Sequence, residues 1–169
     1  MSDRTSKHTS EGIEKLKTLV DEINTCLFCT NLKTHDGATT RPMAAVKVSE
    51  DGNIWFFSEK DSEKNKEIEQ NTTVQLFFAH PGIGSYMVVN GEAEITTDRE
   101  MIEKLWTPVV KIWFKEGKND PNVSLIKVKP SSAYYWDTDG NKMINFLKMA
   151  ASVVTGTNLL RGNEGEITV

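Results

Sequence analysis

At 169 residues the chain has the size of one domain and is long enough to bury a core. Its 24 acidic against 20 basic residues give a formal net charge of −4, which excludes the broad basic field of a general nucleic-acid binder and confines any anion site to a local pocket. No apolar run is long enough to span a bilayer, the N-terminus lacks a secretory pattern and only two cysteines occur, so the expectation is a cytoplasmic protein with neither membrane nor nucleic acid as partner.

In chain order, residues 1–10 read as a flexible lead-in, residues 11–155 as one domain and residues 156–169 as a polar tail. Ile13, Leu16, Val20 and Ile23 recur at near-helical spacing, which predicts a helix over 11–24 with Ser10 as its N-cap. Strands are expected at 26–33 and 41–49. Asp51-Gly52 then turns the chain into an antiparallel return at 53–58. A short polar helix follows from Ser62 to Gln70, with Ile68 on its inner face. Residues 73–80 read as a buried strand and 85–97 as a long one, with Gly91 at a bulge or bend. Asp98 caps a helix through Trp106, Pro108 breaks it, and VVKIWF (109–114) is a second helical piece. Strands at 123–129 and 132–138 and an amphipathic helix at 142–154 complete the domain. Six or seven short, mostly antiparallel strands with a few helices predict a small β-barrel, which removes exposed edges by closing its sheet.

The candidate chemistry lies between Arg41 and Lys64. Arg41 offers a planar fork suited to phosphate, Lys64 a point charge, Ser58 and Ser62 hydroxyls, and the helix starting near Ser62 its N-terminal dipole. Residue by residue, the ordinary alternative is an N-cap serine and solvated cations. Trp55, Phe56 and Phe57 alternate across a sheet, so one face is core and the other meets a ligand or a second subunit. Cys26 and Cys29 fall on a strand, not at a helix N-terminus, and read as buried, inert thiols. His8, His35 and His80 are scattered, so no metal site is expected.

The order RPMAAV, WFFSEKDSEK, LWTPVVKIWFKEGKNDP (105–121), AYYWD (133–137) and a late VTG with GNEGE resembles the pyridoxamine 5′-phosphate oxidase-like flavoproteins. Within them it is most similar to the general stress protein 26 branch. The resemblance implies a mainly β, FMN-binding split barrel with flanking helices. It implies a homodimer with FMN, or alternatively FAD, at the subunit interface. Carried onto matching positions, it implies that Arg41 and Lys64 bind the flavin phosphate with Ser58 and Ser62 assisting. Pro42, Met43 and Ala44 would run along the isoalloxazine, with Phe57 beside it. Tyr86 takes a flavin-contacting position, Trp136 reaches the flavin from the partner chain and Trp113 forms part of the pocket wall. Two departures matter. Glu63 stands where the oxidases carry a basic residue, and the DTDGNKMINFL that follows Trp136 lacks their Arg-x-His grip on the vitamer phosphate. The expected activity is therefore flavin-dependent oxidoreduction of another substrate, with non-catalytic flavin sequestration or sensing as the alternative.

Overall fold

The computed structural model describes residues 2–137 and 163–167. Helix α1 spans Ser2–Ile23 and starts upstream of Ser10, because nothing between them breaks a helix. Its inner stripe is Leu16, Leu19, Val20 and Ile23, all buried against the sheet. The strands are β1 (Thr25–Thr30), β2 (Thr39–Ala44), β3 (Lys47–Val48), β4 (Ile54–Glu59), β5 (Thr73–His80), β6 (Ser85–Thr96), β7 (Val123–Asp137) and β8 (Asn163–Ile167). Helix α2 (Glu63–Gln70) follows β4, and α3 (Arg99–Leu105) follows β6. Asp98 caps α3 as expected, its carboxylate accepting from the N–H groups of Glu100 and Met101. The second helical piece is a single 3-10 turn at Val110–Ile112. The helix expected at 142–154 lies outside the described residues.

All strand pairs are antiparallel, in the order β2-β1-β5-β6-β7-β4-β3. The expected strand at 41–49 is thus two strands at opposite ends of the sheet. Only Ala45 and Val46 separate them: the Ala45 N–H donates to Asn24 O at 2.7 Å and the Val46 N–H to Trp55 O at 2.8 Å. One bent stretch therefore ties the two ends together, and the sheet curls into a split barrel. Gly52 sits at φ +82° in the turn between β3 and β4, a conformation that favours glycine.

Strand β7 is continuous where two strands were expected. Its first half pairs with β4 and its second half with β8, whose Ile167 enters the core. The polar, glycine-containing 163–167 segment carries little strand signal of its own, and long-range pairing decides it. The β6–β7 register shifts between Asn90 and Gly91, where Ser131 is the extra residue. A Cβ on Gly91 would collide with the Lys129 carbonyl oxygen. Gly91→Ala is therefore expected to cost about 1–3 kcal/mol through overpacking and to lower the melting temperature by roughly 2–10 °C. An unchanged thermal melt would mean the strands are looser there than described.

The main core fills the barrel around Phe28, Phe56, Leu76, Phe78, Met87 and Ile126. Trp55 and Phe57, on the opposite face from Phe56, join a second cluster with Ile102, Leu105, Val110, Phe114 and Leu125, so the α3 region covers that face. Cys26 and Cys29 are free and buried. Burial, with the neighbouring Cys29, pushes the Cys26 thiol up to about 12, as an inert thiol requires.

Candidate functional site

The split is where the bend opens. Strand β4 pairs with β7 along its whole length, but β3 covers only its Ile54 and Trp55. Strand β2 pairs with β1 on one side and, among the described residues, has no ladder on the other. Two strand edges thus diverge from Ala45–Val46 without pairing to each other or to another described strand, and their backbone groups need partners from elsewhere. A cavity of about 660 Å3 lies there, within the usual range for small-molecule sites. Residues 41–46 form one wall, Phe57, Ser58 and Glu59 the other, and Lys64 reaches in from α2. Asn24, Thr107, Val109, Val110, Trp113 and Phe114 complete it.

Eight sequence-derived candidates therefore meet in one cleft: Arg41, Pro42, Met43, Ala44, Phe57, Ser58, Lys64 and Trp113. Three others do not line it. Ser62 holds the N-cap position of α2, but its hydroxyl lies 3.3 Å from that of Ser58 and makes no capping bond. Tyr86 and Trp136 face each other across β6 and β7 on the outer face of the sheet, both exposed. Glu63 pairs at the surface with Lys66 at 2.7 Å.

The cleft is polar at one end. The Arg41 guanidinium donates from Nη2 to Glu67 Oε2 at 2.7 Å and from Nη1 to Thr30 Oγ1 at 2.8 Å. Thr30 donates to the same Glu67 oxygen at 2.6 Å. Burial opposes ionisation of Glu67, but the hydrogen bonds from Thr30 and Arg41 and the charge of Arg41 outweigh it and hold the carboxyl below the usual range. Lys64 makes no salt bridge among the described residues. Burial holds its ammonium below the usual lysine range; Glu59 opposes that shift and Arg41 adds to it. The two cations thus share one cavity and sense each other.

Behind the cleft, buried Asn65 accepts from Ser58 Oγ at 2.7 Å and donates to Ser124 Oγ at 3.0 Å and Lys60 O at 3.2 Å. Ser124 donates to Ser58 O at 2.9 Å. The sequence reading missed Asn65, Glu67 and Thr30. Asn65 and Ile68 are three apart on one face of α2, and that spacing was the available signal for Asn65. At the other end Phe57 stacks edge-on against Trp106 at 5.5 Å, with Phe114 beside both. Val109, Ile112 and Trp113 are 68–79% exposed, far more than isolated core residues would be. No group of metal-ligating side chains occurs among the described residues. No described helix is long and apolar enough to cross a membrane.

Residues 11–159 match the model of the family described as pyridoxamine 5′-phosphate oxidase like. The protein bli-3 of Neurospora crassa is 29% identical over 122 residues, 66% of this chain and 58% of that protein. General stress protein 26 of Bacillus subtilis is 33% identical over 80 residues, 46% of this chain and 56% of that protein. The matches thus span under two thirds of each of these relatives. A solved structure from Jannaschia sp. CCS1, assigned as a general stress protein 26, superposes with a TM-score of 0.76 at 24% identity over 98% of this chain and 99% of that one, which shows the fold. The general stress FMN/FAD binding protein of Xanthomonas citri gives a TM-score of 0.64 at 28% identity over 80% of this chain and 92% of that one. Split barrel, cleft and family match agree: the chain belongs to the pyridoxamine 5′-phosphate oxidase-like family.

Proposed function

We propose that this protein binds FMN, or alternatively FAD, as a homodimer and carries out flavin-dependent oxidoreduction on a substrate other than a pyridoxine phosphate. The observation that carries the reading is the cleft between two strand edges that have no ladder partner among the described residues, with Arg41 and Lys64 at one end and Phe57, Val110, Trp113 and Phe114 along it. A phosphate suits the cations, a flat apolar ring suits the aromatic wall, and the ring's polar rim suits free backbone groups. Bound flavin would supply the hydride or single-electron chemistry. The chain's own part is to neutralise the phosphate, exclude water with the aromatic wall and orient the ring. The Xanthomonas citri relative supports flavin as the class of ligand.

A second copy of the chain suits the outer face. Pro42, Leu27, Phe77, Val88 and Tyr134 form one cross-strand row, and Tyr86 and Trp136 lie beside it. Leu27, Phe77, Tyr86, Tyr134 and Trp136 are exposed, a continuous apolar patch of the kind that marks an interface. Pro42 belongs to both the row and the cleft. A partner seated on the row would stand beside the cleft mouth, which fits Trp136 acting across subunits.

Titration of purified protein with FMN is the test, followed by absorbance and by sedimentation. One flavin per chain and a dimeric species are expected. No uptake at micromolar flavin overturns the flavin reading, and a monomer at high concentration overturns the dimer. Affinity should fall as pH rises and Lys64 loses its proton, beginning below the usual lysine range. One observation favours the sequestering alternative. Among the described residues, the titratable side chains lining the cleft are Arg41, Glu59 and Lys64, with none along the aromatic wall. Reduction of bound flavin by NAD(P)H and its reoxidation separate the two, since an inert bound flavin means storage or sensing.

A further inference from the structure

Resting on the flavin reading, we propose that Glu67, together with Thr30, is a positioning residue that presets the Arg41 guanidinium for a phosphate monoester.

An arginine has five N–H donors in a fixed fork. Arg41 gives one to Thr30 and one to Glu67. It lines the cleft, whereas Thr30 and Glu67 do not. The two acceptors therefore hold it from behind and, among the described residues, leave three donors for a ligand. The arrangement is closed, because the fully buried Thr30 hydroxyl donates to the Glu67 oxygen that Arg41 also uses. The three groups satisfy one another, and the fork need not be ordered when a ligand arrives. Three elements supply them: β1 brings Thr30, β2 brings Arg41 and α2 brings Glu67.

Charge makes this aim matter. Glu67 offsets Arg41, and Glu59 stands in the lining with Lys64. Two carboxylates face two ammonium or guanidinium groups, so the cleft attracts a phosphate by directed donors more than by net charge.

The test is titration of FMN and riboflavin into the full chain and its variants. Riboflavin lacks the phosphate and reports the ring site alone. Glu67→Ala is expected to weaken FMN about tenfold and leave riboflavin unchanged. The same substitution made on Arg41→Ala is expected to cause no further loss, and by removing the carboxylate left unpaired it should recover a little FMN affinity. Glu67→Gln, which keeps an oxygen for Arg41, should restore part of the affinity. Thr30→Val should lower FMN affinity alone, and with Glu67→Gln it keeps the test open if Glu67→Ala does not fold. Equal losses for both flavins, a loss that persists without Arg41, or tighter FMN binding by Glu67→Ala would each overturn the proposal. If the unaltered chain binds FMN and riboflavin but the variants change neither, the clamp alone fails. If the unaltered chain binds neither flavin, the flavin reading fails and takes the clamp with it.

Discussion

Replacing Arg41 with alanine is expected to weaken FMN binding about 10- to 100-fold, since a hydrogen bond to a charged group contributes roughly 1.5–3 kcal/mol. Two effects add. The phosphate loses a directed donor, and Glu67 loses the cation that neutralises it 2.7 Å away. An unpaired carboxylate beside the cleft then repels the phosphate. Arg41→Lys should fall between, because it keeps the charge but not the fork. Riboflavin is the control and should bind as before; fluorescence titration of both flavins reads the difference. An unchanged FMN dissociation constant would remove Arg41 from the site. The pair also leaves a mark on stability. Glu67 is held below its ordinary value, so its contribution is complete above about pH 4.5 and is lost as pH falls through the lowered value. In Arg41→Ala that acid-side loss should shrink.

Asn65→Ala is expected to destabilise the fold by about 2–4 kcal/mol, because three partners, two of them buried, lose a hydrogen bond at once. Ser58, Ser124 and the Lys60 carbonyl all depend on this one amide. For a chain of this length the melting temperature should fall by roughly 5–15 °C. Asn65→Asp should not rescue it, since it restores the acceptor for Ser58 but not the donor for Ser124, and it buries a charge. Flavin affinity should drop as well, because Ser58 lines the cleft and Lys64 precedes Asn65 on α2. A melt unchanged by Asn65→Ala would show that water replaces the amide and that the network does not hold the cleft.

Strands β4 to β7 and the Asp51-Gly52 turn were legible because apolar runs and turn chemistry act within a few residues. So was the meeting of Arg41, Ser58 and Lys64, read from a strand, a turn, a second strand and a helix in sequence order, whereas Phe57 entered only through the family resemblance. The division of 39–48 into β2 and β3 was not. Both halves are good strand sequence, and only the closing of the sheet assigns them to opposite ends. Strand β8 was missed because its pairing with β7 is long-range and its composition polar. Glu67 looked like one more surface acid on a charged helix. Its partners Thr30 and Arg41 come from β1 and β2, and no spacing along the chain announces that meeting.

The bend at Ala45–Val46 has a mechanical consequence. It is the hinge of a clasp: prying the barrel open there disturbs few ladder bonds, so it is the natural place for the native state to breathe. A guest wedged between the two arms favours the shut form by mass action, adding about 2.7 kcal/mol against opening at a hundredfold excess over its dissociation constant. Were a flavin bound there as proposed, it would act as a rivet, and the durability of the folded chain would be coupled to the supply of that ligand.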